Sequence, residues 1–377
     1  MTFPPINDTD AGYLAVAARL AKRGLGRTSP NPSVGALVVD PRCGGEIVSR
    51  GWTQPGGRPH AEQVALERAG DRARGATMYV TLEPCAHQGK SPPCADALIG
   101  AGIARLVCAM GDPDPRVSGE GFERLRQAGI EVALAGEPGE AAWLVHGHVL
   151  RQRAKRPFVQ LKLAAGADGR LPAANGSDRP VWVTGERARA RGHLMRAQAD
   201  AIIVGSGTAL ADDPELTCRL PGLEDSSPLR VVFDSKLRLA PASRLVASLD
   251  RAPLWVLCGE GAQPARREAL ERKGVRLIAV EGGVDGRIDL GQALERLAGE
   301  GVTRALVEGG PTLARACLAA GLIDEAVFFT GREAVGEGGL LPFVEEGFEG
   351  LTESGDFEPV AARPIGPDRM AVYRRRA

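Results

Sequence analysis

His60-Ala61-Glu62, Pro84-Cys85 and Pro93-Cys94 decide how this chain is read. One imidazole and two thiols make a soft donor set that can hold Zn²⁺ with a fourth position left open for water. Glu62 is not needed as a ligand. Two residues after the imidazole, it is placed to shuttle a proton between that water and a leaving amine. A His-x-Glu followed by two Pro-Cys pairs is the signature of zinc-dependent base deamination, in which the cysteines usually stand as C-x-x-C. Here eight residues separate Cys85 from Cys94. A purely structural zinc site would need a fourth protein ligand, for which His87 is the nearby candidate, and it would leave Glu62 without a task.

The flanking residues place these groups at strand–helix junctions. Asp10 to Arg23 has helical apolar spacing through Tyr13, Leu14, Ala17 and Leu20, with Asp8–Asp10 to cap it and Gly24 to end it. Pro30-Asn31-Pro32-Ser33 is a rigid extended turn, and Ala36–Val39 a strand. Asn31 either reads a pyrimidine carbonyl or ring nitrogen, or closes an Asx turn. His60–Ala69 reads as a helix, Met78–Thr81 as a strand, and Pro93–Ile99 as a helix start. The metal ligands then sit at helix N-termini, where the dipole favours thiolate. Leu106–Met110, Gly121–Ala128 and Ile130–Val132 complete a strand, helix and strand. The order gives an α/β sandwich with a mostly buried sheet.

Length and composition bound the rest. A chain of 377 residues has room for two domains. Its 47 basic and 47 acidic residues leave no net charge, which argues against a broad nucleic-acid or anionic-membrane surface. The N-terminus lacks the basic and apolar regions of a signal peptide, and no apolar run reaches the ~18 residues needed to span a bilayer. Seven cysteines, an odd set, fit a cytoplasmic enzyme whose thiols stay reduced.

Glu140–Leu150 reads as a helix and Arg151–Arg156 as a solvated linker before Pro157, giving domains 1–150 and 157–377. His146 and His148 read as surface or interface residues. Beyond the linker, strands are expected at Phe158–Leu163, Val181–Thr184, Asp200–Gly205, Leu229–Phe233, Leu254–Leu257, Val275–Val280 and Arg304–Val307. They alternate with helices, as in a doubly wound sheet. Glu325–Phe329 and Met370–Tyr373 are expected to close it as an antiparallel pair. Val307-Glu308-Gly309-Gly310-Pro311-Thr312-Leu313 runs from a strand through a Gly-Gly turn into a helix start, a place where backbone N–H groups can meet a pyrophosphate. No G-x-G-x-x-G follows an early strand, so a standard Rossmann domain is disfavoured. Ser235, helped by Lys236 or Arg238, either takes a 2′-phosphate or is an ordinary polar strand end.

Pro30-Asn-Pro-Ser-Val-Gly35, His60-Ala-Glu62, Thr81-Leu-Glu-Pro-Cys-Ala-His-Gln-Gly-Lys-Ser-Pro-Pro-Cys94 and Asp112-Pro-Asp-Pro115 closely resemble the deaminase domain of the RibD family of bifunctional riboflavin-biosynthesis enzymes. The long interval between the cysteines separates that family from cytidine and tRNA deaminases. Leu161-Lys162-Leu163, Asp168-Gly169, Trp182-Val-Thr-Gly185, Leu194-Met-Arg196, Gly205 to Arg219 and Val307 to Leu313 resemble the reductase domain of the same family. The resemblance covers about residues 10–375. It implies a cytidine-deaminase-like three-layer α/β/α domain followed by a dihydrofolate-reductase-like α/β domain. One Zn²⁺ per chain would be held by His60, Cys85 and Cys94, with Glu62 catalytic. Asn31, His87, Lys90 and Asp112 would hold a phosphoribosylaminopyrimidine. In the second half NADPH would lie along Ala164, Trp182, Thr208, Asp212, Ser235 and the run Gly310, Pro311, Thr312, Leu313, Ala314, Arg315 and Ala316. Arg196, Leu216, Arg219 and Glu308 would bind substrate. Lys162 and Asp212 are candidates for protonating and positioning the sugar nitrogen and hydroxyls during hydride transfer. Guanidinium groups suit a ribose phosphate. Asp114 stands where the family usually has Asn, and Gly166-Ala167 where it usually reads Ser-Leu. A homo-oligomer with no nucleic-acid or membrane partner is expected. Three rivals remain: a deaminase with a catalytically silent reductase-like half, a nucleic-acid deaminase, and a zinc-stabilised interaction protein.

Overall fold

Strand β1 (Gly35–Asp40) is buried along its whole length because both faces are covered. Ala36 and Val38 belong to one apolar cluster, Leu37 and Val39 to another, as strand alternation requires. β1 pairs antiparallel with β2 (Glu46–Trp52) and β3 (Thr77–Val80). β4 (Arg105–Cys108) and β5 (Glu131–Leu134) continue in parallel, giving the order β2-β1-β3-β4-β5. The helices of this half are α1 (Asp8–Ala21), α2 (Ala61–Ala69), α3 (Cys94–Ala101), α4 (Glu120–Gln127) and α5 (Gly139–Arg153). α2, α3 and α4 bury Ala65, Leu98 and Leu125 on one face of the sheet; α1 and α5 bury Leu14 and Leu144 on the other. The result is three layers, α/β/α. A Cβ on Gly51 would lie 2.1 Å from the Ala61 carbonyl oxygen, so glycine lets β2 press against the first turn of α2, where the metal ligands begin.

The computed structural model describes residues 3–89, 92–114, 118–136, 139–173, 182–283, 286–342, 351 and 355–376. The chain divides into two compact units, Met1–Arg156 and Pro157–Ala377. α5 runs to Arg153, so half of the 151–156 segment expected as linker is the last turn of a helix.

In the second unit β6 (Phe158–Ala165), β7 (Ala201–Gly205), β8 (Leu229–Phe233), β9 (Leu254–Gly259), β10 (Arg276–Val280), β11 (Arg304–Val307) and β12 (Glu325–Thr330) form the parallel part of a nine-stranded sheet. β13 (Phe357–Ile365) and β14 (Asp368–Arg375) complete it. The order is β10-β9-β8-β7-β11-β6-β12-β14-β13. β12 and β14 pair antiparallel as expected; β13, with its mostly exposed residues, adds an outer strand that the sequence reading lacked. The helices are α6 (Glu186–Ala197), α7 (Ser206–Ala211), α8 (Arg244–Ala247), α9 (Pro264–Glu271), α10 (Leu290–Gly299) and α11 (Pro311–Ala319). α10 and α11 cover one face of the central strands with Leu294, Leu297 and Ala314. α6 covers Leu306, Val327 and Phe329 through Ala188 and Met195. Helices on both sides of a mostly parallel sheet make this unit α/β as well.

One expected strand is corrected. Val181 lies outside the described residues, and Trp182–Thr184 form no strand. The backbone there packs instead against Gly331, where a Cβ would stand 1.8 Å from the Val183 carbonyl oxygen. Gly166 has a local reason: a Cβ would meet the Glu333 carbonyl oxygen at 2.6 Å, in a turn that Asp168 clasps by accepting the Val335 and Gly336 N–H groups. No helix among the described residues is long and apolar enough to cross a membrane.

Candidate active sites

His60 is the N-cap of α2 and Cys94 the first residue of α3. Cys85 comes from the loop after β3. These placements bring three donor atoms together. His60 Nδ1 lies 3.3 Å from Cys94 Sγ and 3.8 Å from Cys85 Sγ, and all three atoms fall within 4.8 Å of one another. A tetrahedral zinc with its usual bond lengths asks for N–S separations of about 3.5 Å, so the group fits the metal. Among the described residues no other His, Cys, Asp or Glu atom joins this cluster. His87 is not a fourth ligand, which leaves a coordination position open. A hydrogen bond from the Cys94 thiol, aided by the His60 ring and the Cys94 N–H, draws the Cys85 thiol down to about 4. The same pairing, together with burial, pushes the Cys94 thiol up.

Glu62, 4% exposed, sits one residue inside α2 beside these donors. Burial raises its carboxyl above the ordinary value, with the His60 ring acting against the rise. A carboxyl so placed can take a proton and give it back. The Asn31 amide donates to the Gly57 carbonyl at 2.9 Å, and its nitrogen lies 3.5 Å from His60 Nε2. The side chain therefore ties its loop to the Gly57 turn and flanks the metal site; this bond, to a residue 26 positions away, is not the local Asx turn. Among the described residues His87 Nδ1 is buried without a hydrogen-bond partner. Lys90 lies outside the described residues.

Asp112 is held from three directions. Its N–H donates to Glu83 Oε2 at 3.1 Å, and its Oδ1 accepts the Asp114 N–H at 2.9 Å. His148 Nε2 donates to the same Oδ1 at 3.1 Å. The reading of His148 as a surface or interface residue is corrected: α5 buries it to 8% exposure against the loop after β4. Nothing local in the sequence signals this, because the partner lies 36 residues away. Glu83 also accepts the Gly119, Gly121 and Phe122 N–H groups, and so ties that loop to the residues just before Cys85.

In the second unit the carboxyl ends of β6, β7, β8 and β11 open into a cleft of about 1650 Å³. Two strand–helix junctions form its floor, β7 into α7 and β11 into α11. The Gly310 N–H donates to Thr208 Oγ1 at 3.0 Å and binds the two together. Lys162, Ala164, Trp182, Thr208, Asp212, Ser235, Gly310 to Leu313 and Ala316 all line the cleft, as do Arg196, Leu216, Arg219 and Glu308. Two residues of the expected cofactor run do not. Ala314 is buried in the core on the sheet side of α11, and Arg315 turns away to the Leu341 and Pro342 carbonyls. A helix shows only one face to a ligand. Eight lysines and arginines line the cleft against four carboxylates, which fits several phosphates in a chain of no net charge.

Glu308 organises the inner end of the cleft. Arg196 grips it with Nε to Oε1 at 2.8 Å and Nη2 to Oε2 at 2.9 Å, and Lys162 Nζ stands 3.8 Å from Oε2. Burial would raise the Glu308 carboxyl, but Arg196 and Lys162 override it and hold it at about 2. Asp212 stands at the lip, its carboxyl raised by partial desolvation. Leu216 is buried with φ at 58°, a left-handed conformation that is rare and strained for a non-glycine residue. Ser235 Oγ accepts the Ile288 N–H at 2.9 Å, and Arg238 reaches Ser206 Oγ at 2.6 Å. His193, which the sequence reading passed over, accepts the Arg219 N–H at 3.3 Å. Burial, with Arg196 and Arg219 nearby, lowers its ring to about 4, so the ring is neutral.

Residues 7–110 match the family described as the cytidine and deoxycytidylate deaminase zinc-binding region, and residues 157–368 match the RibD C-terminal domain. The chain belongs to the RibD family. The riboflavin biosynthesis protein RibD of Escherichia coli strain K12 is 40% identical over 370 residues, spanning 95% of this chain and 97% of the relative. The RibD of Aquifex aeolicus is 37% identical over 370 residues, spanning 98% and 99%. Among solved structures, Acinetobacter baumannii RibD superposes with a TM-score of 0.83 at 33% identity, covering 98% of this chain and 99% of that one. A Thermotoga maritima chain described as a diaminohydroxyphosphoribosylaminopyrimidine deaminase/5-amino-6-(5-phosphoribosylamino)uracil reductase superposes at 0.80 with 33% identity, covering 97% and 98%. As a RibD family member the chain is a bifunctional enzyme, a zinc-binding deaminase half followed by a reductase half.

Proposed function

We propose that the first unit deaminates 2,5-diamino-6-(5-phosphoribosylamino)pyrimidin-4(3H)-one and that the second reduces the product, 5-amino-6-(5-phosphoribosylamino)uracil, to its ribityl form with NADPH. The observation that carries the reading is the triad of His60, Cys85 and Cys94 with a buried carboxyl beside it that is not a ligand.

In the first unit His60, Cys85 and Cys94 would hold one zinc ion. Zinc, when bound, supplies a nucleophile from water at neutral pH. Glu62 takes the proton that water gives up and returns it to the departing amine. The ring carbon gains an oxygen and loses ammonia, and Glu62 ends as it began. A carboxyl raised by burial suits that double role. Asn31, His87, Lys90 and Asp112 hold the pyrimidine and its phosphoribosyl group.

In the second unit Thr208, Gly310, Ser235 and Trp182, which line the cleft, would hold the cofactor, with Ser235 suited to a phosphate. NADPH, when bound, supplies the hydride. Reduction at C1′ of the ribosyl group would open the C1′–O4′ bond, so O4′ would have to receive a proton. Lys162, whose Nζ stands 3.8 Å from Glu308 Oε2, would supply it, and Asp212 would position the hydroxyls. Arg196, Leu216 and Arg219 hold the substrate, with the Arg219 guanidinium, which makes no hydrogen bond or ion pair among the described residues, to meet the phosphate. The seven free cysteines suit a reducing cytoplasm. A homo-oligomeric state belongs to the same proposal and is read directly by sedimentation.

The test follows ammonia release from the diamino substrate with and without NADPH, and NADPH absorbance in parallel. Matched ammonia release and NADPH oxidation support both halves. Ammonia release without NADPH oxidation, even when the deaminated intermediate is supplied directly, refutes the reductase assignment and leaves a deaminase with a silent second half.

A further inference from the structure

We infer that His148 is a positioning residue for deamination, fixing the Asp112 carboxylate so that one of its oxygens is kept for substrate. The argument rests on three observations. Asp112 Oδ1 is fully engaged, accepting the Asp114 N–H at 2.9 Å and His148 Nε2 at 3.1 Å. Among the described residues no hydrogen bond is made by Oδ2. The Asp112 backbone is itself anchored, its N–H on Glu83, two residues before Cys85. The carboxylate is thus locked at one oxygen, without a hydrogen bond at the other among the described residues, and mounted on the loop that Glu83 ties to the metal-binding segment.

His148 is poorly explained as filler. Its side chain is nearly buried, yet Nδ1 has no hydrogen-bond partner, and an unpaired buried polar atom is unfavourable. An apolar residue would fill the same space without that penalty. What the imidazole supplies is the donor to Asp112. A carboxylate oxygen accepts, so in this contact Nε2 is the donor and carries the proton. A carboxylate held on one side by two donors loses its freedom to rotate before substrate arrives, and that restraint lowers the entropy still to be lost on binding.

The inference rests on Asp112 being a substrate contact, as proposed above, and the experiment separates the two. Full-length wild type, His148→Phe, His148→Gln, Asp112→Asn and the double variant His148→Phe/Asp112→Asn are compared for zinc content and for kcat and KM of ammonia release. His148→Phe is expected to raise KM about tenfold with kcat within about twofold and zinc unchanged. His148→Gln, whose amide can donate to the same oxygen, is expected to recover most of that loss. In the Asp112→Asn background His148→Phe should add nothing. The inference is overturned if His148→Phe leaves KM unchanged, if His148→Gln does no better than Phe, or if the Phe effect persists undiminished without the carboxylate. If Asp112→Asn itself leaves KM unchanged, Asp112 is not a substrate contact, and the reading beneath the inference falls with it.

Discussion

Replacing Glu308 with Gln removes the carboxylate that Arg196 and Lys162 share. A carboxyl held at about 2 instead of 4.5 contributes about 3 kcal/mol of folding stability at neutral pH. The sign follows from the direction. The folded-state value is depressed, so the contribution is fully present above about 4.5, the unfolded value, and is lost as pH falls towards about 2. At pH 3 about 1.4 kcal/mol of it remains. Urea unfolding followed by circular dichroism, run on wild type and Glu308→Gln from neutral pH down to about pH 3, reads this directly. The gap between the two proteins should be widest near neutrality and shrink by about half at the acid end. The size of the gap alone decides little, because Gln also disturbs the bidentate grip of Arg196. The slope decides. A gap that stays constant across that range, or a variant as stable as wild type at neutral pH, would refute the claim that the carboxylate is held ionised by its two cations.

Glu62→Gln should lower deaminase kcat by roughly 10²–10⁴-fold while zinc content and NADPH oxidation on the deaminated intermediate stay at wild-type levels; loss of zinc would mean that Glu62 is structural. Cys85→Ser should abolish stoichiometric zinc and ammonia release together, and leave NADPH oxidation intact, as measured by metal analysis beside the two assays. Gly166→Ala should destabilise the second unit by about 1–3 kcal/mol, since its Cβ would press on the Glu333 carbonyl; a melting temperature equal to wild type would show that the turn yields.

Much of the fold can be read from the sequence where burial imposes a pattern. β1, β3 and β7 are apolar at nearly every position because both faces are covered, and each stands out as a run. β2 does not. Its burial is irregular, its Glu46 and Arg50 are exposed, and Gly51 is there for the approach of α2, so no apolar run marks it as a strand. α7 is six residues long and begins Ser-Gly, too short for any period. β13 is an exposed edge strand carrying Pro359 and Pro364, which argue against a strand when the ladder partner is unseen. Trp182–Thr184 errs the other way: an apolar stretch that looks like a strand carries a Trp that is 59% exposed over the cleft. The metal ligands were legible because spacing and chemistry are both local. The link between His148 and Asp112 was not, because it exists only once α5 packs beneath the sheet.

The order of strands in the second unit has a consequence for synthesis. β6 and β7 are successive in the chain, yet they do not pair; β11 lies between them. About a hundred residues separate β7 from β11, which at roughly 5–20 residues per second is a delay of about 5–20 s on the ribosome. Through that interval the nascent chain carries two apolar strands with facing edges that have no permanent occupant. The floor of the cleft cannot exist either, since Thr208 has no Gly310 to receive. The first unit, whose five strands are all translated before residue 135, can already be complete. The enzyme is born with its first half finished and its second half waiting for β11 to join β7 to β6, and for β12, β13 and β14 after it.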